Sequence, residues 1–238
     1  MTIQSLKKTF IYRVIVLWLS LGLSISALAS DFATTEKLAV QGDADAQVDV
    51  AIMYYEGDGV RKNDVKAFEW YQKAANQGDA TGQVLLGAMY DGGIGVRQDH
   101  IKAREWYQKA INQGDVTGQI FLGRMYYEGD GVRQDYAKAR DLFQKAANQG
   151  EAIGEVFLGQ MYKNGQGIQQ DYVKAREWYQ KAANQGDAKA QYNLGAFYIK
   201  GQGVRQNITT AKEWFGKSCD NGNQESCDLY REINQQGY

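Results

Sequence analysis

Histidine, serine and cysteine, the side chains of the common nucleophile–base pairings, are sparse along most of this sequence. Beyond residue 29 there is one histidine, His100, with three serines, Ser30, Ser218 and Ser226, and two cysteines, Cys219 and Cys227. A Ser-His-acid hydrolase needs a serine among its partners, and these three are the whole supply. Glu56-Gly57-Asp58-Gly59 and Glu128-Gly129-Asp130-Gly131 have the look of calcium loops, but calcium needs several convergent oxygens. The comparable stretches Gly93-Ile94-Gly95 and Gly165-Gln166-Gly167 lack the acid, so these segments read as helix stops. Neither a metal nor a cofactor is expected. Asn207-Ile208-Thr209 matches a glycosylation sequon, yet its asparagine sits where a helix starts and reads as a cap. Cys219 and Cys227 are 8 apart, and in an exported chain that favours a disulfide over two free buried thiols. A C-x-x-C redox motif is absent.

The elements that carry these residues are repeats. Glycines fall at 42, 78, 114, 150, 186 and 222, always 36 residues apart, inside the recurring segment Gln-Gly-Asp or close variants of it. The sequence divides into repeats 42–77, 78–113, 114–149, 150–185 and 186–221. Each carries two helical patterns. In the second repeat Asp79 is a suitable N-cap, and Ala80, Gln83, Leu86, Gly87 and Tyr90 share one helical face. Gly93 and Gly95 end that helix, and Asp99 caps the next. Ala103, Trp106, Tyr107 and Ala110 are its expected buried stripe, and Gly114 closes it. His100 directly follows the cap; its counterparts Asp64, Tyr136, Tyr172 and Ile208 share no chemistry, which makes it a surface position. Ala67, Ala103, Ala139, Ala175 and Ala211 share one contact point, and Gly87, Gly123, Gly159 and Gly195 another, with Ala51 in the first repeat. One helix pair cannot bury both stripes, but a stack can, so the fold expected is all-α, an α/α-superhelix of antiparallel helix pairs. Residues 30–41 and 222–238 are expected to form single capping helices at its two ends.

The bulk numbers agree. There is no proline against 27 glycines, so helices must be stopped by glycine. The net charge is −1, without the basic excess that nucleic acid would require. Lys7, Lys8 and Arg13, the apolar run Val14 to Leu23 and Ala27-Leu28-Ala29 read as a signal peptide over residues 1–29, cut after Ala29. The apolar run is short of the ~20 residues a spanning helix needs. Export to the periplasm, or full secretion, follows, with no membrane insertion after cleavage.

The unit Ala-x-x-Gln-x-x-Leu-Gly-x-Met-Tyr-x-x-Gly-x-Gly-Val, continued by Asp-x-x-Lys-Ala-x-x-Trp-Tyr-x-Lys-Ala-Ala-x-x-Gly, resembles the Sel-1-like repeat, a family related to the tetratricopeptide repeats. The resemblance covers residues 42 to 238. Many members have proline after Gly-Val, where this chain has Arg61, Arg97, Arg133, Gln169 and Arg205. The resemblance implies an adaptor or assembly role in a bacterial envelope and a protein or peptide partner. The 8-residue cysteine spacing is similar to the bridges of a cysteine-rich branch, which is associated with β-lactamase or penicillin binding. That chemistry in its serine form needs Ser-x-x-Lys. The only match is Ser5-Leu6-Lys7-Lys8, inside the signal segment. A cell-wall-directed activity and a secreted effector binding a host protein are the rival readings; a non-enzymatic scaffold is preferred.

The partner surface is expected on the first helices. At about 100° per residue, Thr81, Leu85 and Ala88 lie opposite the stripe of Gln83, Leu86, Gly87 and Tyr90. In later repeats that face carries Thr117, Phe121 and Arg124, then Ile153, Phe157 and Gln160. In helical stacks this face lines the concave groove, and Leu85, Phe121 and Phe157 would make an apolar patch on it. The competing expectation is that they pack between neighbouring helices as core.

Overall fold

The structure is a computed structural model that describes residues 32–237. The signal segment, its cut after Ala29 and the Ser5–Lys8 match lie outside the described residues.

Twelve α-helices make up the described residues, with no strand among them: α1 Phe32–Val40, α2 Ala44–Glu56, α3 Asp64–Asn76, α4 Ala80–Gly92, α5 His100–Asn112, α6 Val116–Glu128, α7 Tyr136–Asn148, α8 Ala152–Asn164, α9 Tyr172–Asn184, α10 Ala188–Lys200, α11 Ile208–Asp220 and α12 Gln224–Gln235. The even-numbered helices are the first helices of the repeats and α12 follows their register. The odd-numbered ones from α3 are the second helices.

Local chemistry sets the ends. Asp43, Asp79 and Asp187 accept from the backbone N–H three residues on, at Ala46, Gly82 and Ala190. Asn63, Asp99, Asp135, Asp171 and Asn207 do the same for the second helices. In α8 the cap position is Glu151, one methylene longer, and its side chain makes no cap bond. Gly93 closes α4 in the left-handed region at φ +63°. The second loop glycine answers a further demand. A Cβ on Gly203 (φ +64°) would lie 2.5 Å from the carbonyl of Tyr172 at the start of the previous second helix.

The chain forms two compact units, divided within α6 after Phe121. In the first, α1 packs on α2, and α2 to α5 pack in succession. In the second, α7 to α12 do the same. The small first-helix residues are where large rings dock. A Cβ on Gly87 would lie 2.7 Å from the Tyr107 ring, on Gly159 2.8 Å from Tyr179, and on Gly195 2.6 Å from Phe215. These rings are 2% exposed or less, and each stabilises its unit by about 2–3 kcal/mol. Trp106 departs from the expected stripe. It is half-buried, and Lys109 Nζ covers its ring at 3.6 Å from the centroid.

A buried carboxamide repeats with the period and ties three helices together. Gln47 donates to Ala39 O at 3.0 Å, on the preceding helix, and accepts from Gln77 Nε2 at 2.8 Å, at the end of its own second helix. Gln191 donates to Ala183 O at 3.1 Å and accepts from Asn221 Nδ2 at 3.0 Å. Gln83 is placed likewise between Ala75 O and Gln113.

Of the residues assigned to the capping helices, α1 takes in Phe32–Val40 and α12 takes in Gln224–Gln235. α1 buries Ala39 and sets the Phe32 ring edge-on to Tyr54 at 5.3 Å, while Val40 is 71% exposed. α12 buries Ser226 and Ile233.

Candidate functional site

The cysteines and serines sit at the α11–α12 turn. Cys219 and Cys227 are joined as a disulfide with Cα atoms 4.7 Å apart, as their spacing leads one to expect. The neighbouring hydroxyls are both fully buried and both occupied. Ser218 Oγ donates to Ala188 O at 2.6 Å, and Ser226 Oγ donates to Ser218 Oγ at 2.7 Å. Neither is paired with a base. His100, read from sequence as a surface position, has a partner that the sequence reading missed. Its Nδ1 lies 2.7 Å from Oδ1 of Asp91, a carboxylate only 7% exposed at the end of α4. The signal was faint: the counterparts of Asp91 are Tyr55, Tyr127, Lys163 and Ile199.

The nine residues expected to face a partner divide into two groups. Ala88, Thr117, Phe121 and Arg124 are buried. Thr81, Leu85, Ile153, Phe157 and Gln160 are half-buried. Phe121 is 2% exposed, and its ring stacks on Tyr107 with centroids 5.1 Å apart. Phe157 stacks on Phe143 in the same way. An open apolar patch running through Leu85, Phe121 and Phe157 is therefore not what the structure holds at Phe121. The reason is that a first helix meets both its own second helix and the preceding one, so more than one of its faces is covered. Arg124 Nε lies 3.7 Å from the Glu128 carboxylate.

In the second unit Phe157 and Gln160 gather around one tyrosine. Gln160 Nε2 donates to Tyr127 Oη at 3.0 Å, and Tyr127 Oη donates to Gln166 Oε1 at 2.5 Å. Gln166 Nε2 reaches Tyr136 Oη at 3.3 Å. The Tyr127 ring packs edge-on to Phe157 at 5.6 Å. Burial pushes the Tyr127 hydroxyl above its ordinary pKa, so it stays a neutral donor. One repeat further on, Lys163 Nζ donates to Asn193 Oδ1 at 3.0 Å. Aromatic edge, carboxamide and ammonium thus lie along successive first helices. No group of three or more His, Cys, Asp or Glu among the described residues is placed to hold a metal ion. No helix among them is long and apolar enough to cross a membrane.

Comparison with known proteins agrees with this architecture. The Sel1 repeat family model matches five times, at residues 44–79, 80–115, 116–151, 152–187 and 188–223. Each match begins at a first helix, two residues after the glycine that marks the period. Among solved structures, a protective antigen of uropathogenic Escherichia coli described as displaying an SLR fold is 34% identical, with a TM-score of 0.72. The alignment covers 88% of this chain and 45% of that one, so this chain spans under half of that protein's length. A Sel1 repeat protein from Oxalobacter formigenes is 29% identical over 83% of this chain and 89% of its own, with a TM-score of 0.74. A Sel1 repeat protein from Klebsiella pneumoniae is 27% identical over 86% and 100%, with a TM-score of 0.57. No curated protein matches the chain.

Proposed function

The chain belongs to the Sel1 repeat family, whose members are generally scaffolds for protein–protein interaction, and we propose that it serves as an exported scaffold of the bacterial envelope. In this reading it has no enzymatic activity of its own. It holds a protein or peptide partner against the exposed parts of its first helices. The observation that carries the reading is the cluster in the second unit. Phe157 and Gln160 stay half-buried there beside the Tyr127 hydroxyl and its amide partners. In the first unit Thr81 and Leu85 offer the corresponding surface. The basic start, short apolar run and Ala-Leu-Ala site support export, to the periplasm or beyond it. A disulfide accords with an oxidising compartment.

Two measurements test this. N-terminal sequencing of the protein recovered from envelope and culture-medium fractions should begin at Ser30; intact Met1 in the cytoplasm would overturn export. Affinity capture from envelope extract, followed by cross-linking mass spectrometry, should place the partner's cross-links on first-helix residues. Cross-links confined to second helices would overturn the surface assignment. Incubation with a fluorescent penicillin should leave no covalent adduct; an adduct would establish the rival, enzymatic reading.

A further inference from the structure

The ends of the first helices change charge along the chain. Two adjacent positions are involved, and the first three repeats each place an acid at one of them: Glu56, Asp91 and Glu128. The fourth and fifth repeats place Lys163 and Lys200 there instead. Two of the acids have a cationic or imidazole partner within their own repeat. Asp91 is bonded to His100 and Glu128 lies 3.7 Å from Arg124, while burial and then the like charge of Asp58 push the Glu56 carboxyl up against the pull of Lys62.

The lysines are not provided for. Lys163 is half-buried in the last turn of α8, and its ammonium bonds to the neutral Asn193 Oδ1 at 3.0 Å. Phe197 supplies a ring at 5.9 Å, too far for more than a weak cation–π contact. Among the described residues no carboxylate forms a salt bridge with either lysine. Elsewhere in the same unit, Lys138 and Lys174 stand beside Asp135 and Asp171. Burial, and then the like charge of Lys200, hold the Lys163 pKa below its ordinary value. Lys200 ends the next first helix, two turns beyond Asn193 and on the same face, and its like charge reaches Lys163; a partly desolvated ammonium in such a field is an unfavourable arrangement that an anion would relieve.

We propose that Lys163 and Lys200 form the receptor for side-chain carboxylates of an acidic peptide segment in the partner protein. This rests on the scaffold reading above and names the chemistry it would recognise. Asn193 is the positioning residue: it donates its own Nδ2 to Lys189 O at 2.8 Å, which turns its oxygen towards Lys163. Phe157 and Gln160, on the same helix as Lys163, offer the neighbouring residues of such a segment an apolar edge and an amide.

The test uses the purified protein and a fluorescein-labelled hexaglutamate peptide, followed by anisotropy at low salt. Wild type should bind saturably, and the double variant Lys163→Gln, Lys200→Gln should bind at least about tenfold more weakly. A variant with the same charge loss elsewhere in the unit, Lys145→Gln with Lys174→Gln, should stay within about twofold of wild type. The Lys163, Lys200 variant should melt at or above the wild-type temperature, because it removes a like-charge pair. No saturable binding by wild type, equal weakening in both variants, tighter binding of a labelled DNA hexamer, or a sharp fall in melting temperature would each overturn the proposal. Capture of the envelope partner separates this failure from that of the broader reading. If the double variant still captures it as wild type does, the scaffold stands and the carboxylate receptor falls.

Discussion

The ring of Phe157 lies parallel to that of Phe143, with centroids 4.3 Å apart and planes 2° from coplanar. A Cβ added to Gly123 would come within 2.8 Å of the Phe143 ring edge. A second-helix ring is thus held by a glycine of its own repeat and a phenylalanine of the next. Tyr107 is held by Gly87 and Phe121 in the same way. The fifth repeat has Asn193 at the stacking position, and there Phe197 meets Tyr179 edge-on at 5.7 Å instead. Ring stacking is thus one contact, beside the recurring carboxamide, by which one repeat fixes the next.

Phe157→Ala is expected to destabilise the second unit by about 2–3 kcal/mol, at the lower end for phenylalanine because the ring is half-buried. Urea denaturation checks this. A change below about 0.5 kcal/mol would show that the stack contributes little and that the ring belongs wholly to the partner surface.

Gly195→Ala drives a methyl into the Phe215 ring at 2.6 Å and should cost about 1–3 kcal/mol. Adding Phe215→Leu should recover part of that loss, since the smaller side chain vacates the ring edge. Purely additive losses in the double variant, measured by thermal melting, would place the strain elsewhere.

Glu155→Gln should stabilise the protein by about 1 kcal/mol above neutral pH. Its counterparts Gln47, Gln83 and Gln191 donate an amide N–H to a carbonyl eight residues back. Ionised Glu155 accepts from Gln185 Nε2 at 2.9 Å but has nothing to donate. Burial pushes its pKa up, against the opposing pull of Lys181 and the Gln185 bond. A carboxyl whose folded pKa exceeds its unfolded one loses stability as pH rises from the unfolded value through the folded one. The advantage of the glutamine variant should therefore grow between about pH 4 and about pH 8. Equal differences at the two pH values would refute this account.

Reduction of Cys219–Cys227 should cost about 2–3 kcal/mol on the chain-entropy estimate for so short a loop. The loss should fall on α12, which the bridge ties to the end of α11. Hydrogen exchange before and after reduction would show it: α12 amides should exchange faster while those of α8 are unchanged. Alkylation of both thiols without reductant would rule the bridge out.

The sequence by itself determined the period, the helix pairs and their ends. Asp79 caps and Gly93 stops a helix through bonds and dihedral angles formed within a few residues, so local reading suffices. It also marked the recurring small residues as contact points, Gly87, Gly123, Gly159 and Gly195 with Ala51 in the first repeat, while the rings they meet emerged only in the structure. The disulfide was legible as well, since an 8-residue loop brings its own ends together. Which side of a first helix meets water was decided only in three dimensions. Periodicity marks one buried stripe relative to the helix axis, but α6 is covered on more than one side, and Phe121 and Arg124 are buried although they lie opposite that stripe. The meeting of Lys163 with Asn193, 30 residues on, and the exchange of an amide for a carboxyl at Glu155 acquire meaning only there. Their energies depend on desolvation and on which partner stands opposite, and both are properties of the packed repeats rather than of any one of them.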